Sequence, residues 1–386
     1  MKGLHAGIVK QKGDISAVST LEDELGSDVK VWISTGFPEL DKVFGGGWPV
    51  GRVSEVFGPE GAGKSALTHM AVKNCQAMGG LPIYVDWENA LESDKMKQLG
   101  INPANIVYIK PMHIEQAWEL IWKALERLAT LPPEKRPKCI LVVWDSIAAS
   151  ISKKEAGDND GTEFANFEVA KQMSRGCRKA YLVAPQIDAH FLFVNQERTQ
   201  IGGMKGFGGP PKTTPGGDAV KYAASLRVRC QRIETLKDGN RAAGYRIKTS
   251  TRKNKCAPPH QSSEWILDFT HGPSPELTVL DGLIKAKVIK TAKGPGLVKK
   301  PTGPMKKSAA PPSVDDKVFA DAEAEAGKPR KSATKYAAPW TEAPFVKADW
   351  LALMKDRTFR TAAFKAYRES IASTDNLDEA EASAED

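Results

Sequence analysis

The sequence predicts an α/β fold with a mostly parallel central sheet. From about residue 31 to residue 267, short apolar runs alternate with segments of helical periodicity, an order typical of parallel strands joined by helices. The apolar runs are continuous, which indicates strands buried on both faces. A glycine-rich loop, Gly58–Ser65, lies between one apolar run and a helical segment. These observations predict a phosphate-loop core, flanked by a short helical arm and a small α-rich C-terminal domain.

The elements of the core follow in order along the chain. The runs predicted as buried strands are Arg52–Phe57, Pro82–Val85, Ile140–Trp144 and Phe191–Asn195. A helix is predicted over Lys64–Met78, with Gly79 and Gly80 as its stop signal. A second helix is predicted between the second and third strands. Its apolar positions recur at helical spacing, at Ile114, Trp118, Ile121, Leu125 and Leu128.

The pattern and composition of the sequence change after the core strands. Leu226–Ile233 and Tyr245–Ser250 predict a β-hairpin across a turn at residues 237–240. After about Gly282 the residues are rich in Lys, Pro, Ala and Gly, and apolar periodicity is nearly absent. The predicted domains are an N-terminal helical arm (1–32), the core (33–270), the start of a C-terminal region with its linker (271–345), a small helical unit (346–373) and an acidic disordered tail (374–386).

Composition narrows the class of protein. The formal net charge is +8 although the chain ends in an acidic segment, so the body is basic. This favours a polyanionic partner such as nucleic acid, with an ordinary basic enzyme as the alternative. The five cysteines lack zinc-ligand spacing, and we expect reduced thiols in a cytoplasmic protein. There is no secretory signal and no apolar run of about 18 residues.

The loop matches the pattern G-x-x-x-x-G-K-[ST], which predicts an ATP site. Its glycines let the backbone N–H groups point at phosphate oxygens, and the following helix adds partial positive charge at its N-terminus. Lys64 is predicted to contact the β- and γ-phosphates, and Ser65 to ligate Mg²⁺. The predicted ATP ligands are Gly58, Pro59, Glu60, Gly61, Ala62, Gly63, Lys64 and Ser65.

Three other strands run into polar residues. Asp145 follows the strand at 140–144 and is predicted to hold Mg²⁺ together with Ser65. Glu88 follows the strand at 82–85 and is placed to polarise a water molecule. Gln196 follows the strand at 191–195 and is placed to contact a γ-phosphate. Polar residues cap many strands, but three of them beside a phosphate loop favour a catalytic site, because parallel strands end at one edge.

Several segments resemble the RecA family of recombinases in its bacterial and phage form. The resemblance covers roughly residues 30 to 290, in order and without large gaps. The segments that carry it are Ile33–Gly36, Leu40-Asp41, Gly51-Arg52, Asp86–Leu91, Leu141–Asp145, Phe193–Gln196 and Lys253–Lys255, with Ala257-Pro258 behind the last.

The resemblance implies a catalytic role for five residues. Glu88 takes the position of the catalytic glutamate, and Gln196 that of the γ-phosphate sensor. Lys253 and Lys255 take the positions of two lysines that reach the ATP of a neighbouring subunit. With Lys64, these complete the implied catalytic set. Such lysines stabilise the transferring phosphoryl group only when a neighbour is in place.

The resemblance also implies the biology. The implied protein is a DNA-dependent ATPase that uses ATP and Mg²⁺ to form a helical filament on single-stranded DNA. The filament pairs this DNA with a homologous duplex and exchanges strands during recombination and DNA repair. The N-terminal arm is implied to support polymerisation. The implied location is the cytoplasm of a bacterial or phage-infected cell.

Two segments are expected to face DNA. The first is a polar loop rich in glycine and aspartate, at Lys153–Glu163. The second, Arg198–Gly217, is too long and glycine-rich to be a packed element, and loops of this length are usually functional or disordered. By resemblance it inserts between bases, with cations on phosphates and apolar residues as wedges. The predicted DNA contacts are Arg198, Ile201, Gly202, Met204, Lys205, Phe207, Lys212, Thr213, Gly216, Gly217, Lys221 and Arg227.

Two alternatives and one departure accompany this interpretation. A ring-forming helicase or motor of the same superfamily is the first alternative, although the Lys253–Lys255 segment and the short arm speak against it. A recombination-mediating or DNA-packaging protein with negligible ATP turnover is the second. The departure is Lys95, which stands where relatives commonly place a tyrosine that stacks on adenine.

Overall fold

The structure is a computed structural model that describes residues 29–157, 163–199, 212–291, 335–339 and 345–382. The amphipathic stretch at 15–25, on which the predicted N-terminal arm rests, lies outside the described residues. The described strands are β1 (Trp32–Ile33), β2 (Trp48–Pro49), β3 (Val53–Gly58), β4 (Leu81–Asp86), β5 (Val107–Ile109), β6 (Ile140–Asp145), β7 (Ala189–Gln196), β8 (Arg198–Thr199), β9 (Lys212–Thr213), β10 (Leu226–Asp238), β11 (Arg241–Asn254), β12 (Ser262–Asp268), β13 (Gly272–Pro273), β14 (Lys290–Thr291), β15 (Lys335–Ala337) and β16 (Phe345–Val346).

The helices lie between these strands. The described helices are α1 (Pro38–Phe44), α2 (Lys64–Ala77), α3 (Ser93–Gln98), α4 (Ile114–Ala129), α5 (Lys153–Gly157), α6 (Glu163–Val183), α7 (Asp218–Ala223), α8 (Pro275–Lys285), α9 (Lys347–Leu353) and α10 (Arg357–Ala382). Within the described ranges, no helix is both long enough and apolar enough to span a membrane.

One nine-stranded sheet organises the core. Its strand order is β13-β12-β11-β10-β3-β7-β6-β4-β5. Every neighbouring pair from β10 to β5 is parallel, and the pairs from β13 to β10 are antiparallel. The mostly parallel sheet predicted from the sequence is therefore confirmed, and the four predicted strands differ from β3, β4, β6 and β7 by one or two residues at their ends.

The sheet is covered on both faces, as the continuous apolar runs predict. Successive residues of one strand point to opposite faces, so Leu192 and Val194 of β7 join one core while Phe191 and Phe193 join the other. Helix α2 packs on the first face. Helices α4 and α6 pack on the second face. Burial of both faces explains why these strands lack alternation between apolar and polar residues.

The predicted hairpin is confirmed, but its strands are longer than the sequence indicates. Strands β10 and β11 pair from Leu226 opposite Asn254 to Asp238 opposite Arg241. Beyond Cys230 most residues of β10 are exposed. The outer half of the hairpin therefore carries polar residues, which give no apolar run for sequence analysis to detect.

The chain divides into two compact units between Thr278 and Val279. In the second unit β14, β15 and β16 form an antiparallel sheet, which the sequence did not predict because its strands have two or three residues each. Helix α10 continues to Ala382, past residue 374, where the acidic tail was predicted to begin. Its alanines, glutamates and leucine have favourable helix propensity.

A buried histidine on β7 makes the stability of the fold depend on pH. His190 is fully buried, and its Nδ1 lies 2.6 Å from the carbonyl oxygen of Pro49. Burial lowers the pKa of His190 from 6.5 to about 4. Between these two values the unfolded chain binds a proton that the folded chain does not. The stability is therefore complete above pH 6.5 and is lost as the pH falls toward 4.

We expect His190 to cost the folded chain about 3 kcal/mol between pH 7 and pH 4. His190→Asn keeps an N–H donor for Pro49 but does not titrate in this range, so its unfolding free energy should fall less on acidification. Urea unfolding at pH 7 and pH 4 measures the difference. Equal pH dependence in both proteins would contradict this prediction, whatever the absolute cost of the smaller side chain.

Candidate active site

Four parallel strands end at one edge of the sheet and place the predicted site residues side by side. Gly58 at the end of β3 lies in register with Gln196 at the end of β7. Asp86 at the end of β4 lies in register with Asp145 at the end of β6. The carboxyl edge of a parallel sheet is where α/β proteins bind ligands. The topology therefore gathers residues that are as much as 138 positions apart in sequence (58 to 196).

The phosphate loop needs glycine where it approaches the sheet. A Cβ atom at Gly58 would collide with the carbonyl oxygen of Cys230, and one at Gly63 would collide with the side chain of Ile247. Both residues have positive φ angles, 153° and 81°. Helix α2 begins directly after the loop, at Lys64. Its N-terminal N–H groups and the loop amides form a site suited to an anion.

Lys64 is a buried cation at the centre of this site. Its Nζ donates a hydrogen bond of 2.7 Å to the carbonyl oxygen of Pro59. Burial lowers the pKa of Lys64, and the nearby carboxylates of Asp145 and Glu88 oppose this shift. A desolvated ammonium group interacts strongly with phosphate, because a low local dielectric screens the attraction between the two charges much less than water does.

Asp145 lies beside two hydroxyl groups. Tyr84 donates a hydrogen bond of 2.8 Å to its Oδ2, and the hydroxyl of Ser65 also bonds to this carboxylate. Burial raises the pKa of Asp145 to about 6 despite these two bonds. A buried carboxylate next to a hydroxyl is an oxygen-only donor set, and such sets suit hard cations. Ser65 and Asp145 therefore fit the predicted Mg²⁺ site.

Glu88 is held from two directions. The Asp86 carboxylate accepts hydrogen bonds from the backbone N–H groups of Glu88, Ala90 and Leu91, at 3.1, 3.4 and 3.2 Å. The hydroxyl of Ser146 donates a 2.7 Å bond to Glu88 Oε1. The backbone that carries Glu88 and one of its carboxylate oxygens are therefore both fixed, although the residue is exposed.

The contacts of Tyr84, Asp86 and Ser146 were not predicted from the sequence. Asp86 and Ser146 do carry a signal, since each stands beside a predicted strand end next to a predicted site residue. Tyr84 lies inside β4 and carries no such signal.

Gln196 follows a residue that joins two strands and a loop. Asn195 donates hydrogen bonds of 2.9 Å to Glu55 Oε1 and to the carbonyl oxygen of Pro215. Its own oxygen accepts the backbone N–H of Gln196 at 3.0 Å. Glu55 is fully buried and forms a 2.6 Å ion pair with Arg227. Asn195 thus connects the backbone of the predicted phosphate sensor to the C-terminal end of the predicted DNA segment.

Arg227 was predicted as a DNA contact, and the structure gives it another partner. Its guanidinium pairs with Glu55 and lies 4.8 Å from the ring centre of Phe57. Lys221, another predicted contact, forms a 2.8 Å ion pair with Asp218 in α7. Both cations are therefore engaged within the chain, and the buried pair of Arg227 explains why an arginine stands at this position.

The described ends of the second DNA segment form a short antiparallel ribbon. Arg198 of β8 pairs with Thr213 of β9, and Thr199 pairs with Lys212. Arg198 is exposed. The other predicted contacts, Ile201, Gly202, Met204, Lys205 and Phe207, lie outside the described residues. The two ends of the segment, β8 and β9, are therefore paired with each other where they join the core.

Two glycines follow this ribbon. Gly216 and Gly217 have φ angles of 88° and 74°, and a Cβ at Gly216 would lie 2.8 Å from Cγ2 of Ile147. Both were predicted as DNA contacts. In the structure, the lack of a side chain at Gly216 allows the chain to pass close to Ile147. In the first DNA segment, residues 153–157 form helix α5 rather than a loop, which corrects that part of the prediction.

Lys253 and Lys255 do not join Lys64 in this chain. Lys253 is opposite Arg227, which is level with Glu55, three residues before the phosphate loop begins. Lys253 Nζ donates to the carbonyl oxygens of Lys221 and Tyr222 at 2.8 and 3.0 Å. Burial lowers the pKa of Lys253, and the positive charges of Lys255 and Arg227 add to the effect. Three cations are therefore clustered away from the carboxyl edge.

The departure at Lys95 is visible in the structure. Lys95 is exposed on α3, next to the buried Met96. No aromatic side chain stands at this position, so residue 95 offers no ring on which a base could stack.

Comparisons with known proteins give the family. The sequence profile described as the RecA N-terminal domain matches residues 4–274. Protein RecA of Wolinella succinogenes is 36% identical over 258 residues, which cover 67% of this chain and 70% of the relative. Protein RecA of Leptospira biflexa is 34% identical over 286 residues, with 74% and 70% covered. Protein RecA of Streptomyces venezuelae is 38% identical over 277 residues, with 72% and 69% covered.

The matched region contains every residue of the site described above. The small helical unit at 345–382 lies beyond it. These similarities favour a recombinase over the ring-forming motor, and a DNA-dependent ATPase over a protein without ATP turnover. The chain belongs to the RecA family, the DNA-dependent ATPases of homologous recombination and DNA repair.

Proposed function

We propose that this chain hydrolyses ATP with Mg²⁺ while assembled as a helical filament on single-stranded DNA, and that the filament pairs this DNA with a homologous duplex and exchanges strands. The main support for a site shared between subunits is that Lys64 and Lys253 lie apart within one chain. Lys64 lies with Glu88 and Asp145, whereas Lys253 lies level with Glu55. The proposed setting is the cytoplasm of a bacterial or phage-infected cell.

Each residue at the carboxyl edge has a proposed task. The loop amides and Lys64 hold the β- and γ-phosphates, which requires Lys64 to leave the Pro59 carbonyl. Ser65 and Asp145 hold Mg²⁺, which neutralises charge on the phosphates. Glu88 accepts a hydrogen bond from the attacking water and orients it toward the γ-phosphorus. Gln196 contacts the γ-phosphate and reports its presence to the DNA segment through Asn195.

The cation cluster at Lys253 supports a site shared between subunits. Burial lowers the pKa of Lys253, and the positive charges of Lys255 and Arg227 lower it further, so these cations repel one another. A triphosphate from a second copy would relieve this repulsion. Tyr222, whose backbone carbonyl accepts from Lys253, is 77% exposed, so an aromatic side chain is available beside the cluster for contact with a second copy. A head-to-tail contact of this type builds a filament or a ring.

The DNA side of the proposal rests on the segment between β8 and β9. The β8–β9 ribbon carries the exposed Arg198. After β9, the carbonyl oxygen of Pro215 accepts a hydrogen bond from Asn195, the residue directly before Gln196. Binding through phosphates and stacking is tolerant of base sequence. Such tolerance suits a protein that must test any sequence for homology.

ATP turnover with and without single-stranded DNA tests the first half of the proposal, and strand exchange with purified protein tests the second. We expect strong stimulation of ATP hydrolysis by single-stranded DNA and a joint product from homologous DNA only. Turnover that ignores DNA would contradict the proposal. Turnover with DNA binding but no exchanged product would contradict the strand-exchange half.

We predict that Lys253 acts on the ATP of a neighbour. Lys253→Ala and Lys64→Ala should each be nearly inactive, yet an equal mixture should recover about a quarter of the wild-type rate, because random head-to-tail assembly leaves that share of interfaces with both lysines. The measurement is DNA-stimulated ATP hydrolysis. A mixture no more active than its components would place Lys253 in the site of its own chain. The separately purified variants, tested for DNA binding, serve as controls.

A further inference from the structure

A chain of hydrogen bonds leads from the core to the proposed catalytic carboxylate. Trp144 Nε1 donates to Ser150 Oγ at 2.9 Å. Ser150 Oγ donates to the carbonyl oxygen of Ser146 at 3.0 Å. Ser146 Oγ donates to Glu88 Oε1 at 2.7 Å. Each hydroxyl proton is therefore used in the direction of Glu88.

The inner members of this chain have little freedom to move. Trp144 is fully buried, and Ser146 and Ser150 are 1% and 7% exposed. Trp144 also packs between Trp87 and Trp118, with ring centres 5.6 and 4.9 Å away. A buried indole with its N–H satisfied is a rigid anchor. Packing around Trp144 thus fixes Ser150, and through Ser150 it fixes the orientation of Ser146.

We propose that Ser146 is the positioning residue for Glu88, and that Ser150, held by Trp144, orients Ser146. This inference rests on the proposed role of Glu88 in activating water. Ser146 acts through Glu88 and does not itself contact the reacting atoms.

The geometry explains what such positioning achieves. A glutamate that is exposed at the edge of a sheet samples several rotamers, and only some of them face the attacking water. In the described part of the chain, Ser146 engages Oε1 while Asp86 fixes the backbone. The second oxygen, Oε2, has no hydrogen-bond partner among the described residues and is available to accept a hydrogen bond from water. Alignment of a base within hydrogen-bond reach is what general-base catalysis requires.

The test compares kcat and KM for ATP in full-length variants, with single-stranded DNA present. Ser146→Ala should lower kcat roughly tenfold to a hundredfold while KM for ATP changes less than about twofold, because a misplaced base impairs chemistry rather than binding. Ser150→Ala should lower kcat by a smaller factor. Ser54→Ala is the matched control: Ser54 is a buried serine of the same sheet whose hydroxyl has no partner among the described residues. It should retain wild-type kcat.

A double-mutant cycle separates positioning from structural damage. In a Glu88→Gln background the residual rate should fall less than about twofold when Ser146→Ala is added, since the group that Ser146 positions no longer acts as a base. An equal effect of Ser146→Ala in both backgrounds would overturn the inference. Unchanged kcat in Ser146→Ala, with activity lost in Glu88→Gln, would also overturn it while leaving the proposed function intact.

Two further outcomes are decisive. If Ser146→Ala does not fold, as judged by circular dichroism, the cycle is run with Ser150→Ala. A loss of kcat that disappears in the Glu88→Gln background supports the inference, and an unchanged kcat overturns it. If Glu88→Gln keeps the wild-type kcat, the proposed role of Glu88 fails and the inference falls with it.

Discussion

Replacement of Lys64 with alanine is expected to lower DNA-stimulated ATP hydrolysis by roughly a hundredfold to a thousandfold. The ammonium group is buried and lies beside the carboxylates of Asp145 and Glu88. Without it, the phosphate oxygens of ATP would face these carboxylates with no full positive charge from the loop. Both nucleotide affinity and charge stabilisation in the transition state should suffer. Steady-state kinetics and binding of a fluorescent ATP analogue measure the two effects.

Lys73 provides a matched control on the same helix. It lies nine residues after Lys64 in α2 and outside the carboxyl edge, so Lys73→Ala should hydrolyse ATP at nearly the wild-type rate. The two variants remove the same chemical group from the same helix and differ in position alone. A Lys64→Ala protein that keeps more than about a fifth of wild-type activity would show that the loop amides suffice to bind and activate the phosphates.

The part of the site that sequence analysis predicted is the part that depends on chain direction alone. Parallel strands end at one edge, so Asp145 and Gln196 had to lie near the loop at Gly58–Ser65. The ends of these strands could be predicted from the apolar runs alone. Whether these residues perform the proposed steps is a chemical question, and it stays a prediction.

The unpredicted contacts depend on register and on long-range pairing. Tyr84 reaches Asp145 because β4 and β6 are adjacent and aligned, and nothing local in the sequence specifies this alignment. Ser146 reaches Glu88 across the same pair of strands. The outer half of the β10–β11 hairpin and the three short strands of the second unit were missed for a different reason. Their residues are polar or too few to produce a periodic pattern.

Glu55 shows how a local anomaly points to a distant partner. A glutamate inside an apolar strand predicts a buried charge, and a buried charge requires a counter-ion. The sequence does not say which cation supplies it. The structure identifies Arg227, 172 positions away, together with the amide of Asn195. Asn195 also accepts the backbone N–H of Gln196, so the residue that bonds to Glu55 also supports the predicted sensor.

Loss of Arg227 is expected to be the most destabilising single change at this site. Arg227→Met leaves the fully buried Glu55 without its 2.6 Å partner, and an uncompensated buried charge costs roughly 3–5 kcal/mol of unfolding free energy. The urea unfolding midpoint, followed by tryptophan fluorescence, measures the loss. A cost below about 1 kcal/mol would show that water or a rearranged neighbour replaces the guanidinium.

The double variant Glu55→Gln/Arg227→Met distinguishes two causes of destabilisation. One is the loss of the attraction between the paired charges, and the other is the cost of leaving the buried carboxylate unpaired. Glutamine keeps an oxygen for the Asn195 amide and carries no charge, so the double variant should be more stable than Arg227→Met alone despite having one more substitution. If it is less stable, the ion pair contributes net attraction that exceeds its desolvation cost. With the charge removed and the Asn195 bond retained, the double variant should also keep the backbone of Gln196 in place. Its ATP hydrolysis should therefore recover relative to Arg227→Met in parallel with its stability.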